Sequence, residues 1–305
     1  MITKEGKRSI VIHSVIFAAW VGLVVFASFR DLEISRVLSN GDSFLGALIA
    51  KVAEWPAYSI LPLSSVVLFY NGDLTKNKRA NATIKAIFAL VNYGGWTLWF
   101  IASEKLVEVP HEIGFSLVYA AMFSAASLYF GKFVNKDVMK KLFKFAIFAL
   151  IVLAATQLVI TLIKNGWSRA RYRDMLKYDS FEMFTPWYKP NGFRKIDGYR
   201  LTSFPSGHTN SATNLFILTA LCYIFPSWKK RKTLVYILIG AFVALTMVYR
   251  VVYNAHFLSD TLWGAFISYV IFYIAKRITF KGGKYTFEER TKESEGSTEG
   301  EKIAE

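Results

Sequence analysis

The chain is poor in cysteine, histidine and charge for its length. Among 305 residues there are one cysteine and four histidines, and 19% of the residues are charged. The single thiol, Cys222, excludes an internal disulfide framework. Because a soluble domain usually carries about 25% charged residues, and 53% of this chain is hydrophobic, the composition favours a protein that is largely embedded in lipid.

Acidic residues are also scarce, with 22 Asp and Glu against 37 Lys and Arg and a formal net charge of +15. In a soluble protein this excess would indicate nucleic acid. Here the basic residues fall in alternate loops between apolar runs, and no basic-aromatic binding module is present, so no nucleic-acid partner is expected. The positive-inside tendency predicts that these loops and both termini are cytoplasmic. The basic groups are residues 4–8, 76–79, 132–144, 229–232 and 276–284.

The apolar residues are collected into runs of about 17–25, which is the length of a membrane-spanning helix. Backbone groups inside a bilayer must bond to one another, so the runs are predicted to be helices. We therefore expect an all-α, polytopic membrane bundle of about eight transmembrane helices, within one domain at residues 1–280. The runs are 9–29, 55–71, 82–103, 113–132, 142–163, 207–226, 233–250 and 258–276.

Three segments outside the runs invite separate predictions. Residues 30–54 contain apolar residues at helical spacing and predict an amphipathic helix, either a rim where a lipid enters or, as we favour, a simple connector. The long polar and aromatic stretch 165–203 is typical of a lid or a substrate-binding loop. Residues 281–305 lack apolar periodicity and are expected to form a disordered cytoplasmic tail.

Three polar clusters interrupt the apolar second half, at residues 164–171, 204–208 and 250–260. The first follows the fifth run, the second opens the sixth, and the third lies between the seventh and the eighth. A chain that crosses the membrane at each run places all these ends on one face. The charge distribution predicts that this face is extracytoplasmic.

In the third cluster, His256 and Asp260 stand four residues apart at a helix start, so their side chains share a face. The carboxylate is expected to accept the proton of one ring nitrogen and to leave the other nitrogen aimed outward. The alternative is a hydrogen bond that only orders the helix end. For this pair alone that alternative is the commoner case.

The second cluster predicts a helix start that holds an anion through its free backbone N–H groups. Gly207 lets phosphate oxygens approach the backbone, Ser206 adds a hydroxyl, and His208 suits a general acid. Ordinary helix capping, with an incidental histidine, is the alternative.

Lys164, Arg171 and Arg250 would form a cationic clamp around a phosphoryl group. For Lys164 and Arg171 taken alone, snorkelling to the membrane interface explains the charge equally well.

Together the clusters resemble the K-x6-RP, PSGH and SR-x5-H-x3-D motifs of the type 2 phosphatidic acid phosphatase superfamily of lipid phosphatases. The resemblance covers residues 142–276, the last four predicted spans, and the helix pair at 82–132 goes beyond the usual six-span core. Tyr172 stands where the family has proline, and Tyr249 stands where it has serine. Neither position carries the expected chemistry, although local geometry and substrate preference depend on both.

The resemblance implies that His256 is the nucleophile and forms a phosphohistidine, that Asp260 orients it, and that His208 protonates the leaving group. It also implies hydrolysis of a lipid phosphate or diphosphate, such as undecaprenyl diphosphate or phosphatidic acid, at the extracytoplasmic face. The expected phosphate-binding residues are Lys164, Arg171, Ser206, Gly207 and Arg250.

No metal site and no cofactor are expected, since the chain has no HExxH, no paired Asp-x-Asp and no Walker-type phosphate loop. Two alternatives stay open. One is a lipid phosphotransferase of the same fold, and the other is a non-catalytic phospholipid binder or transporter. The sequence does not fix the oligomeric state.

Overall fold

The structure, a computed structural model, describes residues 4–104 and 113–280. Every regular element within these two stretches is a helix, which confirms the all-α class. The predicted tail at 281–305 lies outside the described residues. The helices are α1 (Lys4–Leu38), α2 (Phe44–Val52), α3 (Trp55–Tyr70), α4 (Lys78–Glu104), α5 (Ile113–Gly131), α6 (Lys136–Trp167), α7 (Tyr172–Tyr178), α8 (Gly207–Asn214), α9 (Leu221–Ile224), α10 (Pro226–Lys229), α11 (Lys232–Val252) and α12 (Leu258–Thr279), with short 3-10 helices at Phe181–Met183 and Leu215–Ala220.

In the described part of the chain, 7 helical segments are long and apolar enough to cross a membrane. The exception among the expected runs is 207–226, which forms α8, the 3-10 helix Leu215–Ala220 and α9 in succession. Polar side chains explain the difference, because α8 buries Thr209, Asn210 and Ser211 inside the bundle. The expected count of about eight spanning helices is therefore not confirmed.

Helix α12 lies at the centre of the bundle. This helix packs against α1, α6, α8 and α11, and α8 in turn contacts α6 and α11. Their shared core includes Phe148, Ile217, Val243 and Phe272. As a result, the short polar helix α8 is enclosed by apolar helices.

The predicted extra helix pair, now α4 and α5, packs on α3. Gly95 of α4 makes a close approach to Pro62 inside α3. Nearby, the buried Asn92 side chain donates to the Pro62 carbonyl at 2.8 Å. Small and polar side chains that let helices approach closely are typical of contacts inside membranes.

The segment before α3 is folded onto the end of α11. Asn40 N–H donates to the Val252 carbonyl at 2.9 Å, and Gly46 of α2 lies against Tyr253. The predicted amphipathic helix thus exists as α2, and it lies beside the third polar cluster.

Gly95→Ala should separate α3 from α4 and lower stability. An added Cβ would lie 2.8 Å from Pro62 Cδ and 3.0 Å from Pro62 N, and such overpacking costs about 1–3 kcal/mol. The measurement is thermal unfolding of the detergent-solubilised protein.

Gly94→Ala is the matched control, since its Cβ would meet nothing within 4 Å. The midpoint temperature of its thermal unfolding should equal or slightly exceed that of the unmodified chain, because alanine is a better helix former than glycine. Equal midpoints for the two variants would contradict the described contact between α3 and α4.

Candidate active site

The second and third polar clusters are joined where α8 meets α12. The backbone N–H of Ser206 donates to the Asp260 carbonyl at 2.9 Å. Gly264, one turn further along α12, faces the same segment, and a Cβ there would lie 2.6 Å from the Ser206 carbonyl oxygen. Only glycine permits this approach, so the start of α8 is held against the start of α12.

His256 is buried, and its Nδ1 lies 2.7 Å from the Ser203 carbonyl oxygen. A carbonyl only accepts hydrogen bonds, so Nδ1 carries the proton, and in the neutral ring Nε2 carries the lone pair. Burial lowers the pKa of His256 well below its ordinary value, although the Asp260 carboxylate acts in the opposite direction. The ring is therefore neutral near pH 7 and has a nucleophilic nitrogen. Three cations reinforce the effect of burial, namely Arg250, Arg171 and Lys164.

Asp260 lies close to His256 but is bonded elsewhere. Its Oδ2 is 3.7 Å from His256 Nδ1, while the same oxygen accepts from Ser203 Oγ at 2.5 Å and from Phe257 N at 2.9 Å. The Ser203 carbonyl thus takes the place that the sequence predicted for the carboxylate. Asp260 acts on the ring through its charge and by holding Ser203.

Arg169 is a buried cation that the sequence analysis does not count among the site residues. It is 1% exposed and lies beside Asp260. Its Nη1 donates to Asp260 at 2.6 Å, its Nη2 to Asp31 at 3.0 Å, and its Nε to the Thr185 carbonyl at 2.7 Å. The sequence contains no signal for this burial, and none for the part played by Asp31.

The cations of the first cluster meet at Thr202, in the loop that precedes α8. Lys164 Nζ donates to the Thr202 carbonyl at 3.0 Å, and Arg171 Nη2 donates to its hydroxyl at 3.3 Å. Lys164 also lies beside Gly207, at 3.7 Å from the position of an added Cβ. The long loop therefore connects the clamp to the helix start.

Arg250 completes the group from the last turn of α11 and is 3% exposed. Its backbone carbonyl accepts from the N–H groups of Ala255 and His256. Among the described residues, the buried Nε atoms of Arg250 and Arg171 have no hydrogen-bond partner. Buried donors of this kind favour an oxyanion, since an unpaired guanidinium N–H in a protein interior is costly.

At the start of α8, Ser206 is the N-cap. Its hydroxyl oxygen accepts from Thr209 N at 3.4 Å and from Thr209 Oγ1 at 3.0 Å. The helix begins at Gly207, next to Lys164. The arrangement combines ordinary capping with a positive helix end near a cation.

His208 is turned towards the link between α2 and α3. Its Nε2 lies 2.9 Å from the Ala50 carbonyl oxygen, and its Nδ1 lies 3.6 Å from Glu54 Oε1. The Glu54 carboxylate also interacts electrostatically with Lys164 and Arg250. Ala50 and Glu54 were not predicted as site residues, and the one hint was the polar side of the expected amphipathic helix.

The arrangement brings a neutral imidazole, three cations, a helix start and a second imidazole to neighbouring ends of α6, α8, α11 and α12. Such a set can hold an oxyanion and attack it with nitrogen. Within residues 4–104 and 113–280, no three His, Cys, Asp or Glu side chains are grouped as metal ligands would be.

Two comparisons with known proteins found matches. The family model described as the PAP2 superfamily matches residues 145–284. The chain is 33% identical over 76 residues to phosphatidylglycerophosphatase B of Bacillus subtilis (strain 168), an alignment that covers 24% of this chain and 37% of that protein. No solved structure matches the chain. The chain therefore carries a PAP2 superfamily domain at residues 145–284.

Proposed function

We propose that this protein is an integral membrane phosphatase that hydrolyses a lipid phosphate or diphosphate through a phosphohistidine at His256. The observation that carries the proposal is the neutral, buried His256 ring beside the clamp of Lys164, Arg171 and Arg250. A neutral nitrogen can attack phosphorus, and fixed cations stabilise the charge that builds on the equatorial oxygens. The apolar helices around the site favour an amphiphilic substrate.

In the first step, the lone pair of His256 Nε2 forms the N–P bond while the bond from phosphorus to the lipid-side oxygen breaks. In this scheme His208 begins doubly protonated, with its Nδ1 3.6 Å from Glu54 Oε1, and its Nε2 proton passes to the departing oxygen. During this step the departing oxygen replaces the Ala50 carbonyl as the hydrogen-bond partner of His208 Nε2. The products are a lipid alcohol, or a lipid monophosphate from a diphosphate, and a phosphorylated imidazolium that keeps its Nδ1 proton.

In the second step, water attacks phosphorus and the electrons of the N–P bond return to Nε2 of His256. His208, now singly protonated, takes a proton from the water, and inorganic phosphate leaves. The Ser203 carbonyl holds the Nδ1 proton in both steps. No step in this scheme needs a metal ion. If an alcohol attacked the phosphohistidine instead of water, the protein would be a phosphotransferase.

The named relative directs the choice of substrate. The sequence alone leaves undecaprenyl diphosphate, phosphatidic acid, phosphatidylglycerophosphate and lipid A as candidates. Phosphatidylglycerophosphatase B is by its name an enzyme for phosphatidylglycerophosphate, which favours this lipid among them. The basic loops favour cytoplasmic termini and a site at the extracytoplasmic face. We place the protein in a bacterial cell envelope, where such lipids are recycled.

The direct test is phosphate release from a panel of these lipids by the solubilised protein in excess EDTA. His256→Ala should lower kcat at least about a thousandfold, because removal of a nucleophile abolishes the covalent step. His13→Gln is the control, since His13 contacts Tyr269 in another part of the bundle.

Equal activity of His256→Ala and His13→Gln would refute the role of His256. If the unmodified chain bound lipid but released phosphate from none of the panel, the binder alternative would be favoured. Phosphate transfer to an added alcohol without release would identify a phosphotransferase.

A second prediction concerns the contact that joins the two histidine clusters. Gly264→Ala should push the Ser206 segment away from α12 and misalign the site, since an added Cβ would lie 2.6 Å from the Ser206 oxygen. A misplacement of about 1 Å can lower the rate about 100-fold. The measurement is kcat/KM for the best lipid of the panel.

Gly240→Ala is the matched control on α11, where an added Cβ meets nothing within 4 Å. It should keep full activity. Full activity of Gly264→Ala would show that the clusters do not need this contact to act together.

A further inference from the structure

A second carboxylate lies behind the site, on a helix that the family match does not cover. Asp31, in the last third of α1, is 3% exposed. Its Oδ2 accepts from Arg169 Nη2 at 3.0 Å and from the hydroxyl of Ser259, and its Oδ1 accepts from Ser259 N at 3.0 Å. Ser259 Oγ in turn accepts from Arg169 Nη1 at 2.8 Å. Asp31 is thus bonded to the start of α12 and to the guanidinium behind Asp260.

The charges of this group do not cancel. One guanidinium, that of Arg169, lies between the carboxylates of Asp31 and Asp260, and all three groups are at most 3% exposed. These three groups alone sum to one negative charge in a dry interior. The cations Lys164, Arg171 and Arg250 lie near the same His256 ring and act on it with the opposite sign.

The proposed reaction adds a positive charge on the His256 ring itself. His256 lies 3.7 Å from Asp260 and becomes a phosphorylated imidazolium when it takes the phosphoryl group. Without Asp31, Arg169 would neutralise Asp260, and the ring would lose most of the negative potential that stabilises its positive charge. Interactions of this kind act strongly where water is excluded.

We propose that Asp31 is a positioning residue of the active site, which offsets the charge of Arg169 so that Asp260 keeps its negative charge for the His256 ring. This inference rests on the proposed function of His256 as the nucleophile. It assigns a part of the catalytic machinery to α1, outside residues 145–284.

The attachment of α1 does not depend on Asp31 alone. Trp20 Nε1 donates to the Leu262 carbonyl at 3.2 Å, and Trp187 Nε1 donates to Ser28 Oγ at 2.8 Å. Val24 and Ala27 are also buried against Leu262 of α12. A change of charge at Asp31 should therefore leave the helix in place.

The test compares Asp31→Asn with the unmodified chain, with Glu33→Gln as control. Glu33 lies on the same helix, its side chain is 57% exposed, and it pairs with Arg30. Asp31→Asn should lower kcat about 10- to 100-fold, the range for loss of an outer partner of a functional side chain, with KM nearly unchanged. The acid limb of the kcat/KM profile should move to lower pH, because less negative potential disfavours the imidazolium. Glu33→Gln should change neither quantity.

Ser259→Ala provides a second variant that keeps both carboxylates but removes the hydroxyl that bridges Asp31 and Arg169. It should lower kcat by a smaller factor, again with KM nearly unchanged. Rapid-quench measurement of acid-labile phosphoenzyme should show slower phosphorylation in both variants.

An Asp31→Asn protein with the kcat and the pH profile of Glu33→Gln would overturn the inference. If Asp31→Asn does not fold, a Ser259→Ala protein with unchanged kcat would overturn it equally. The proposed function fails separately, when the unmodified chain releases no phosphate or when His256→Ala releases it at the same rate.

Discussion

The site depends on the hydrogen bonds and ion pairs that the buried Arg169 guanidinium makes. Taking a guanidinium out of water is strongly unfavourable unless every donor is paired. Its partners come from three distant parts of the chain, namely Asp31 in α1, Asp260 in α12 and the Thr185 carbonyl in the long loop. Satisfying this one group therefore fixes α1, the start of α12 and the loop relative to one another. The same fixation sets the Ser203 carbonyl at His256, and with it the tautomer of the ring.

On the other side of His256, charge of the opposite sign is concentrated. Lys164, Arg171 and Arg250 repel one another, and they stay together because the helix ends and the Thr202 contacts hold them there. Gathering like charges in a place with little water is the unfavourable contribution to the free energy of oxyanion binding. Folding has already supplied this contribution before the oxyanion binds. A neutral ring thus lies between a negative group behind it and a positive group in front of it, an arrangement suited to an imidazole that becomes a cation while it attacks an anion.

The site also extends beyond the matched domain at residues 145–284. α1 supplies Asp31, α2 supplies the Ala50 carbonyl to His208, and the link after α2 supplies Glu54. These contributions explain why residues 30–54, interpreted from the sequence as a connector, pack tightly against the ends of α8 and α11. The helix pair α4 and α5, by contrast, packs mainly on α3.

The sequence alone determined what depends on local composition and spacing. Hydropathy located the long helices, the residues before Gly207 marked a helix start, and the four-residue spacing of His256 and Asp260 placed both at one helix end, since these signals act over a few turns. The tertiary structure decided the rest. In the folded protein the Nδ1 proton of His256 is bonded to the Ser203 carbonyl, and Arg169 is buried away from the substrate side. Asp31 contacts Arg169 and Ser259, which are 138 and 228 positions away in the chain. Helix α8 is short, polar and enclosed by other helices. Hydrogen-bond partners so distant in the chain are chosen by helix packing and by the need to pair buried charge, and neither leaves a periodic trace in the sequence.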